Sequence, residues 1–249
     1  MPESNGAAQP ATSPPMARPE RPVGGAIRRT MSGMNRCDCT APHDERRVVL
    51  TGGPGAGKSA VLELARLFFC QHVHPVPEAA GIVFGGGFPR NHTVVLRQSA
   101  QRAIFHVQRA LEFAQEGSGA AVVLCDRGTP DGAAYWMGDG TLWEAVGTTR
   151  ELELARYHAV IHLRTPTVAG DYDHANPLRI ETHGEAQAID ARIAEAWRGH
   201  PRLFEVPATD DFLAKAAHAL SHLRECIPAC CRGRVRPFRW LADARYGHG

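Results

Sequence analysis

The stretch VVLTGGPGAGKSA, residues 48–60, places four glycines and a proline beside a single lysine, directly after a short apolar run. That residue, Lys58, is one of only two lysines in the chain, the other being Lys215, against 26 arginines. Arginine serves as the ordinary cation here, so Lys58 answers a narrower need. Gly52-x-x-x-x-Gly57-Lys58-Ser59 has the spacing of a loop that wraps a phosphate chain. Its glycines let backbone N–H groups turn inward with no Cβ in the way, and a helix beginning at its end adds the positive pole of its dipole. A slim ammonium reaches the β- and γ-phosphates where a planar guanidinium has the wrong shape, and the Ser59 hydroxyl suits Mg²⁺. Gly52, Gly53, Pro54, Gly55, Ala56, Gly57, Lys58, Ser59 and Ala60 are the candidate contacts to ATP or GTP. A Gly-rich turn that matches by coincidence is the alternative.

Such a loop announces a nucleotide and not a reaction. Lys215 follows Leu213 and Ala214, so it cannot supply the Asn-Lys-x-Asp that reads guanine in a standard GTPase. The run AAVVLC ends in Asp126-Arg127-Gly128, without the second acid that activates water in motor ATPases. A small-molecule kinase needs an acid for Mg²⁺ or for the acceptor's proton, arginines to neutralise the moving phosphoryl group, and a lid that excludes water. Each has a candidate. Glu78 in VPEAAG follows the second expected strand, at the sheet edge where open α/β folds bind ligands. Asp126 and Arg127 end the third. Arg164 follows the fourth, and a loop of small, polar and proline residues, about 165–184, leads past Arg179 into a helix containing Asp190.

Every role has a plainer rival. Asp126 contacts Mg²⁺, directly or through water, or is a turn aspartate. Glu78 deprotonates or binds an acceptor hydroxyl, or is a helix-start glutamate favoured by the dipole. Arg127 faces phosphate or makes a structural ion pair, and Arg164 and Arg179 are lid arginines or solvated surface. Asp131, Tyr135 and Trp136 form an acceptor pocket or pack in the core. GGGFPRNH, residues 85–92, reads as a substrate-side loop. His72 and His74 flank Val73 on an expected strand and, with no Cys or carboxylate pair beside them, read as surface or core histidines. Cys37, Cys39, Cys226, Cys230 and Cys231 have the ingredients of a zinc site across the two tails, but neither group has the usual two-residue knuckle.

These residues need a scaffold. RRVVL (46–50), VHPV (73–76), AAVVLC (120–125), AVIHL (159–163) and LFEVP (203–207) read as strands. The segments between them, KSAVLELARLFF, TVVLRQSAQRAIFHVQRALEFAQ, TTRELELARY and GEAQAIDARIAEAW, carry apolar residues at intervals of three and four. The alternation predicts a doubly wound α/β domain, a parallel five-stranded sheet with helices on both faces, over about 45–227. A last helix, DDFLAKAAHALSHLREC, begins at Asp210 or Asp211 as N-cap.

Residues 1–44 hold seven prolines and little apolar periodicity, which reads as a disordered arm, with a transit peptide as the alternative. Residues 228–249 form a tail in which CRGRVRPFRW mixes arginine with Phe238 and Trp240, a pattern shared by RNA-contacting or acidic-lipid-contacting segments and by a solvated tail with an apolar foot docked on the domain. A net charge of +2 argues neither for a nucleic-acid polyelectrolyte binder nor for a membrane-surface protein. No apolar run reaches the roughly 18 residues of a membrane span, and no secretory signal is expected, so the chain reads as cytoplasmic. Seven cysteines so distributed do not form a disulfide framework.

TGGPGAGKS, VPEAA, RQSAQRAIFHVQRALE, CDRGTPDGAAYW and RIETHGEAQAID, in that order over roughly 46–208, resemble the P-loop proteins of the AAA-domain 28 type, related to nicotinamide riboside kinases and more distantly to nucleoside and nucleotide kinases. The resemblance implies a three-layer kinase-like fold with strand order 2-3-1-4-5 and binding of ATP or GTP. It also implies either phosphoryl transfer to a small acceptor or a nucleotide-binding regulator. In nucleoside kinases a Glu-Pro after the second strand supplies the base and a Glu-Arg-Ser after the third binds Mg²⁺ and substrate. Here Pro77 precedes Glu78, and Asp126 stands in place of the second glutamate.

Overall fold

Val48 and Leu50 are buried in one apolar cluster and Val49 in another, as a strand's period of two requires when both faces of a sheet are covered. This strand, β1 (Arg46–Thr51), is the middle of a five-stranded sheet in the computed structural model, which describes residues 37–90, 93–166, 182–233 and 235. The other strands are β2 (Val73–Val76), β3 (Val122–Asp126), β4 (Ala159–Leu163) and β5 (Leu203–Val206). All pairs are parallel and the order is β2-β3-β1-β4-β5, the order that the resemblance implies.

On one face lie α1 (Lys58–Phe68) and α7 (Phe212–Cys226). The buried residues of α7, Ala216, Ala219, Leu220 and Leu223, recur at three and four, and they meet Val61, Leu62, Ala65 and Phe68 of α1 in one cluster. Asp211 is the N-cap of α7, its Oδ1 accepting from Ala214 N at 2.9 Å. On the other face, Ile189, Ile193 and Trp197 of α6 (His183–Trp197) pack with Val123, Cys125 and Val160 of the sheet. The long α3 (Val94–Phe113) and the short α5 (Arg150–Ala155) contribute Leu111 and Leu154 to this cluster. Three further short helices, α2 (Ala79–Gly85), α4 (Leu142–Val146) and α8 (Ala229–Arg232), and a 3₁₀ stretch at Thr129–Tyr135, are too brief to show an apolar period in the sequence. His72 lies on the turn before β2 and not on a strand face with His74.

Register decides what the carboxyl edge presents. Leu50 pairs with Asp126 and Thr51 with His162, so the ends of β1, β3 and β4 surround the loop that starts at Gly52. The expected lid falls largely on 167–181, and Arg179 with it, outside the described residues, as do most of the two termini. Among the described residues no helix is long and apolar enough to cross a membrane.

Candidate phosphate-binding site

The loop from Gly52 to Gly57 is a cradle in which Gly52 and Gly53 leave no room for a side chain. Gly52 has φ 140°, and a Cβ there would stand 2.1 Å from the Leu163 carbonyl oxygen. At Gly53 a Cβ would stand 2.4 Å from Thr165 Oγ1 and 2.8 Å from Asp190 Cβ. The β4 end and α6 press against the back of the loop, and side chains are excluded. Gly53 N donates to Asp190 Oδ1 at 2.8 Å, and Ala56 N to Gly53 O at 3.3 Å, which braces the turn. No side chain caps the first turn of α1, so its leading N–H groups are free of an internal acceptor of that kind. These amides and the helix dipole are what an anion needs.

Lys58 is 8% exposed, and its Nζ donates to the Gly52 and Gly53 carbonyls at 3.0 Å each. Burial, then the neighbouring Arg127 charge, lower its pKa to about 8 against the pull of Asp126, Glu78 and Asp131. Ser59, beside it, is exposed to the same hollow.

Asp126 lies at the end of β3, 7% exposed, and its Oδ1 is buried with no hydrogen-bond partner among the described residues. Burial, joined by Glu78, pushes its pKa above the usual aspartate value, while Lys58 and Arg127 oppose this. An orphaned carboxylate oxygen on a residue that lines the same hollow as Lys58 and Ser59 fits the oxygen-rich, water-sharing coordination of Mg²⁺.

Arg127, the next residue, has φ 72°, the one left-handed non-glycine among the described residues. That conformation costs about 1–2 kcal/mol and is held by its surroundings. It sends the guanidinium back across the cradle, where Nε donates to Glu78 Oε1 at 2.6 Å and Nη1 to Gly52 O at 3.2 Å. Glu78 is the N-cap residue of α2 but its side chain caps nothing; the carboxylate turns to Arg127 instead. Burial alone would raise the Glu78 pKa, but Arg127 and Lys58 hold it below the ordinary glutamate value.

Lys58, Ser59, Glu78, Asp126 and Arg127, proposed from the sequence, thus line one hollow of ≈ 500 Å³, which continues between α2, α3 and α6 toward Gln101 and Arg192. Arg192 and Gln101 were missed, since nothing in their local sequence marks them. Arg164 lies apart: its Nε is 3.4 Å from Asp190 Oδ2, and it borders a second hollow of ≈ 370 Å³ beside Thr165, Pro207 and Ala208.

A buried set of polar groups, also not anticipated, holds the site from behind. Asp190 Oδ1 accepts from Gly53 N and lies 2.9 Å from His162 Nε2, on a histidine that is fully buried in β4. Burial works against the Asp190 carboxylate, but His162, the Gly53 amide and Arg164 hold its pKa below the usual value. Lys215 Nζ, also buried, donates to Arg164 O at 2.6 Å and pins the end of β4. Asp131 accepts from Thr51 Oγ1 at 2.6 Å, Trp197 Nε1 at 2.8 Å and Gly128 N at 3.1 Å, so its carboxylate is structural although it borders the hollow. Tyr135 and Trp136 border the same hollow. A lone histidine in the apolar run AVIHL was the signal available for His162.

A family model described as an AAA domain matches residues 47–212. No curated protein matches the chain. Among solved structures, a deoxyadenosine kinase from M. mycoides with bound dATP is similar at 12% identity and a TM-score of 0.48, over 72% of this chain and 98% of that one.

Proposed function

The chain belongs to this AAA-domain family, the AAA-domain 28 type, and from that premise we propose that it binds ATP with Mg²⁺ and transfers the γ-phosphoryl group to a small nucleoside- or nucleotide-like acceptor. The observation that carries the reading is the ≈ 500 Å³ hollow that begins at Lys58 and Ser59 and runs past Asp126 and Glu78 to Gln101, leaving room for an acceptor beyond the phosphates.

The roles divide by position. The loop amides and Lys58 hold the β- and γ-phosphates, and on their arrival Lys58 leaves the Gly52 and Gly53 carbonyls for the anion. Ser59 and the free Oδ1 of Asp126 would hold Mg²⁺, whose charge neutralises the phosphate oxygens. Glu78, kept ionised by Arg127, orients the acceptor hydroxyl or takes its proton. Arg127 and Arg192 face the transferring group, Gln101 offers donor and acceptor to a base edge, and Arg164 borders the hollow suited to the nucleotide's own base. Catalysis is then positioning and charge neutralisation.

A nucleotide-dependent switch is the second reading. The cradle closed on its own carbonyls by Lys58 and Arg127 favours it, since ligand arrival must rearrange both. Incubation of the protein with γ-labelled ATP, Mg²⁺ and a pool of nucleosides, nucleotides and related metabolites separates them. A labelled small product supports the kinase; nucleotide binding with no product from any pool supports the switch and removes the kinase.

A further inference from the structure

Three segments distant in the chain bring five cysteines and two histidines together at the amino end of the sheet, opposite the phosphate cradle. Cys37, Cys39 and His43 precede β1, Cys70 and His72 lead into β2, and Cys230 and Cys231 lie in α8. Cys37, Cys70, His72 and Cys231 form one tetrad and Cys39, His43, Cys230 and Cys231 a second. Within each tetrad one ligand atom per residue lies within 4.8 Å of all the others.

A tetrahedral zinc ion with bonds of about 2.3 Å to sulfur and about 2.0–2.1 Å to imidazole nitrogen sets sulfur pairs about 3.8 Å apart and sulfur–nitrogen pairs about 3.6 Å apart. In the first tetrad Cys37 Sγ is 4.0 Å from Cys231 Sγ, and His72 Nδ1 is 3.3 Å from Cys231 Sγ and 3.7 Å from Cys70 Sγ. In the second, His43 Nε2 is 3.6 Å from Cys231 Sγ and 3.7 Å from Cys39 Sγ, while Cys230 Sγ is 3.9 Å from His43 Nδ1. The five distances other than that to His43 Nδ1, which cannot bind the same ion as Nε2, are edges of two coordination tetrahedra that share Cys231 as a corner, and Cys230 joins the second within its 4.8 Å span.

The number of ligands agrees with the distances. Two four-coordinate ions need eight ligand positions, and seven residues fill them when one thiolate bridges. Cys231, fully buried, is the residue common to both tetrads. Hydrogen bonds fix two of the ligand residues without a metal: the Gln71 side chain bonds both N and O of Cys37 at 2.8 Å, and the His72 carbonyl accepts from Ala121 N at 2.8 Å and Val122 N at 3.0 Å.

We infer that these seven residues hold two Zn²⁺ ions bridged by the Cys231 thiolate, in a structural centre that ties residues 37–43 and α8 to the start of β2. Thiolate and imidazole ligands in closed tetrahedra suit zinc and leave no position for substrate. Each thiol gives its proton to solvent on binding. His72, read from the sequence as lacking cysteine company, acquires it through the fold.

The test is metal analysis of the full chain, expressed with zinc and purified under reducing conditions without chelator. Two zinc ions per chain are expected, and Co²⁺ refilling of chelator-stripped protein should give the thiolate-to-cobalt absorption and the visible bands of a tetrahedral site. Cys39→Ala and His72→Ala should each lose one ion and Cys231→Ala both, with nucleotide affinity in the first two within about twofold of the parent. Should Cys231→Ala fail to fold, the cobalt spectrum of the unaltered chain carries the decision. Zero or one zinc per chain after loading, absence of the thiolate–cobalt band, or a Cys37–Cys231 disulfide in the reduced preparation overturns the assignment.

Discussion

Gly53 and Asp190 are 137 residues apart in the chain and joined by a 2.8 Å hydrogen bond from the Gly53 amide to Asp190 Oδ1. The same oxygen meets His162 Nε2 at 2.9 Å, so one buried carboxylate couples the phosphate loop, β4 and α6. Asp190→Ala leaves two buried donors without an acceptor, a loss of about 2–3 kcal/mol. For a chain of this size the melting temperature should fall by about 5–10 °C. ATP affinity should fall about tenfold with it, because the back of the cradle loses its brace. A melt and a titration matching the parent would show the brace to be idle.

Lys58 ties nucleotide binding to pH. Its pKa in the folded chain is about 8, against 10.5 for an ordinary lysine. Between those values the unfolded chain carries a proton that the folded chain has shed, so Lys58 adds stability as pH rises through this window. Binding runs in the opposite sense, because a polyphosphate favours the ammonium. Above pH 8 ATP binding should draw a proton from solvent and weaken with rising pH. Titration calorimetry at pH 8.5 in two buffers of different ionisation enthalpy reads this directly: the unaltered protein should show proton uptake and Lys58→Met none. Equal uptake in both would assign the proton elsewhere.

Glu78 and Arg127, 2.6 Å apart, should separate binding from turnover. Glu78→Gln keeps the hydrogen-bonding shape and removes the proposed base, so kcat should drop by about 10²–10⁴ while ATP affinity changes less than about threefold. Were ATP affinity to collapse with kcat intact, Glu78 would be a loop-positioning residue only.

Asp126→Asn replaces the unpartnered, buried carboxylate oxygen by an amide. The Mg²⁺ concentration needed for half-maximal activity should rise at least tenfold, while binding of metal-free nucleotide is preserved or strengthened by the loss of negative charge. The raised pKa of Asp126 adds a pH signature: the Mg²⁺ requirement should climb on acidification above the ordinary aspartate range. A flat Mg²⁺ response in the variant contradicts the assignment.

What could be read from the sequence was whatever local chemistry announces. The five strands carry apolar runs, and the cradle carries glycines that no other residue can replace at φ 140° or against the Leu163 carbonyl. Glu78, Asp126 and Arg127 could be found because they directly follow strands whose ends must meet. Arg192 and Gln101 could not, since they sit in the middle of α6 and α3 and reach the hollow only through helix packing. Asp131 was legible as a residue of an acceptor pocket or of the core, but its partners could not be named, because Thr51 and Trp197 come from β1 and α6. The meeting of Cys37, Cys70, His72 and Cys231 was hidden for the same reason: no spacing within one segment encodes it.

The proposed function stands on the Gly52–Ser59 loop gripping a nucleoside triphosphate through its amides and Lys58. Titration of the unaltered chain and of Lys58→Ala with ATP and Mg²⁺ at pH 7 tests it most directly. Saturable, one-to-one binding is expected, weakened by the substitution about 10- to 100-fold, the worth of a charge-assisted hydrogen bond of about 1.5–3 kcal/mol. Equal affinity in the two proteins, or no binding of ATP or GTP to the unaltered chain, would contradict it.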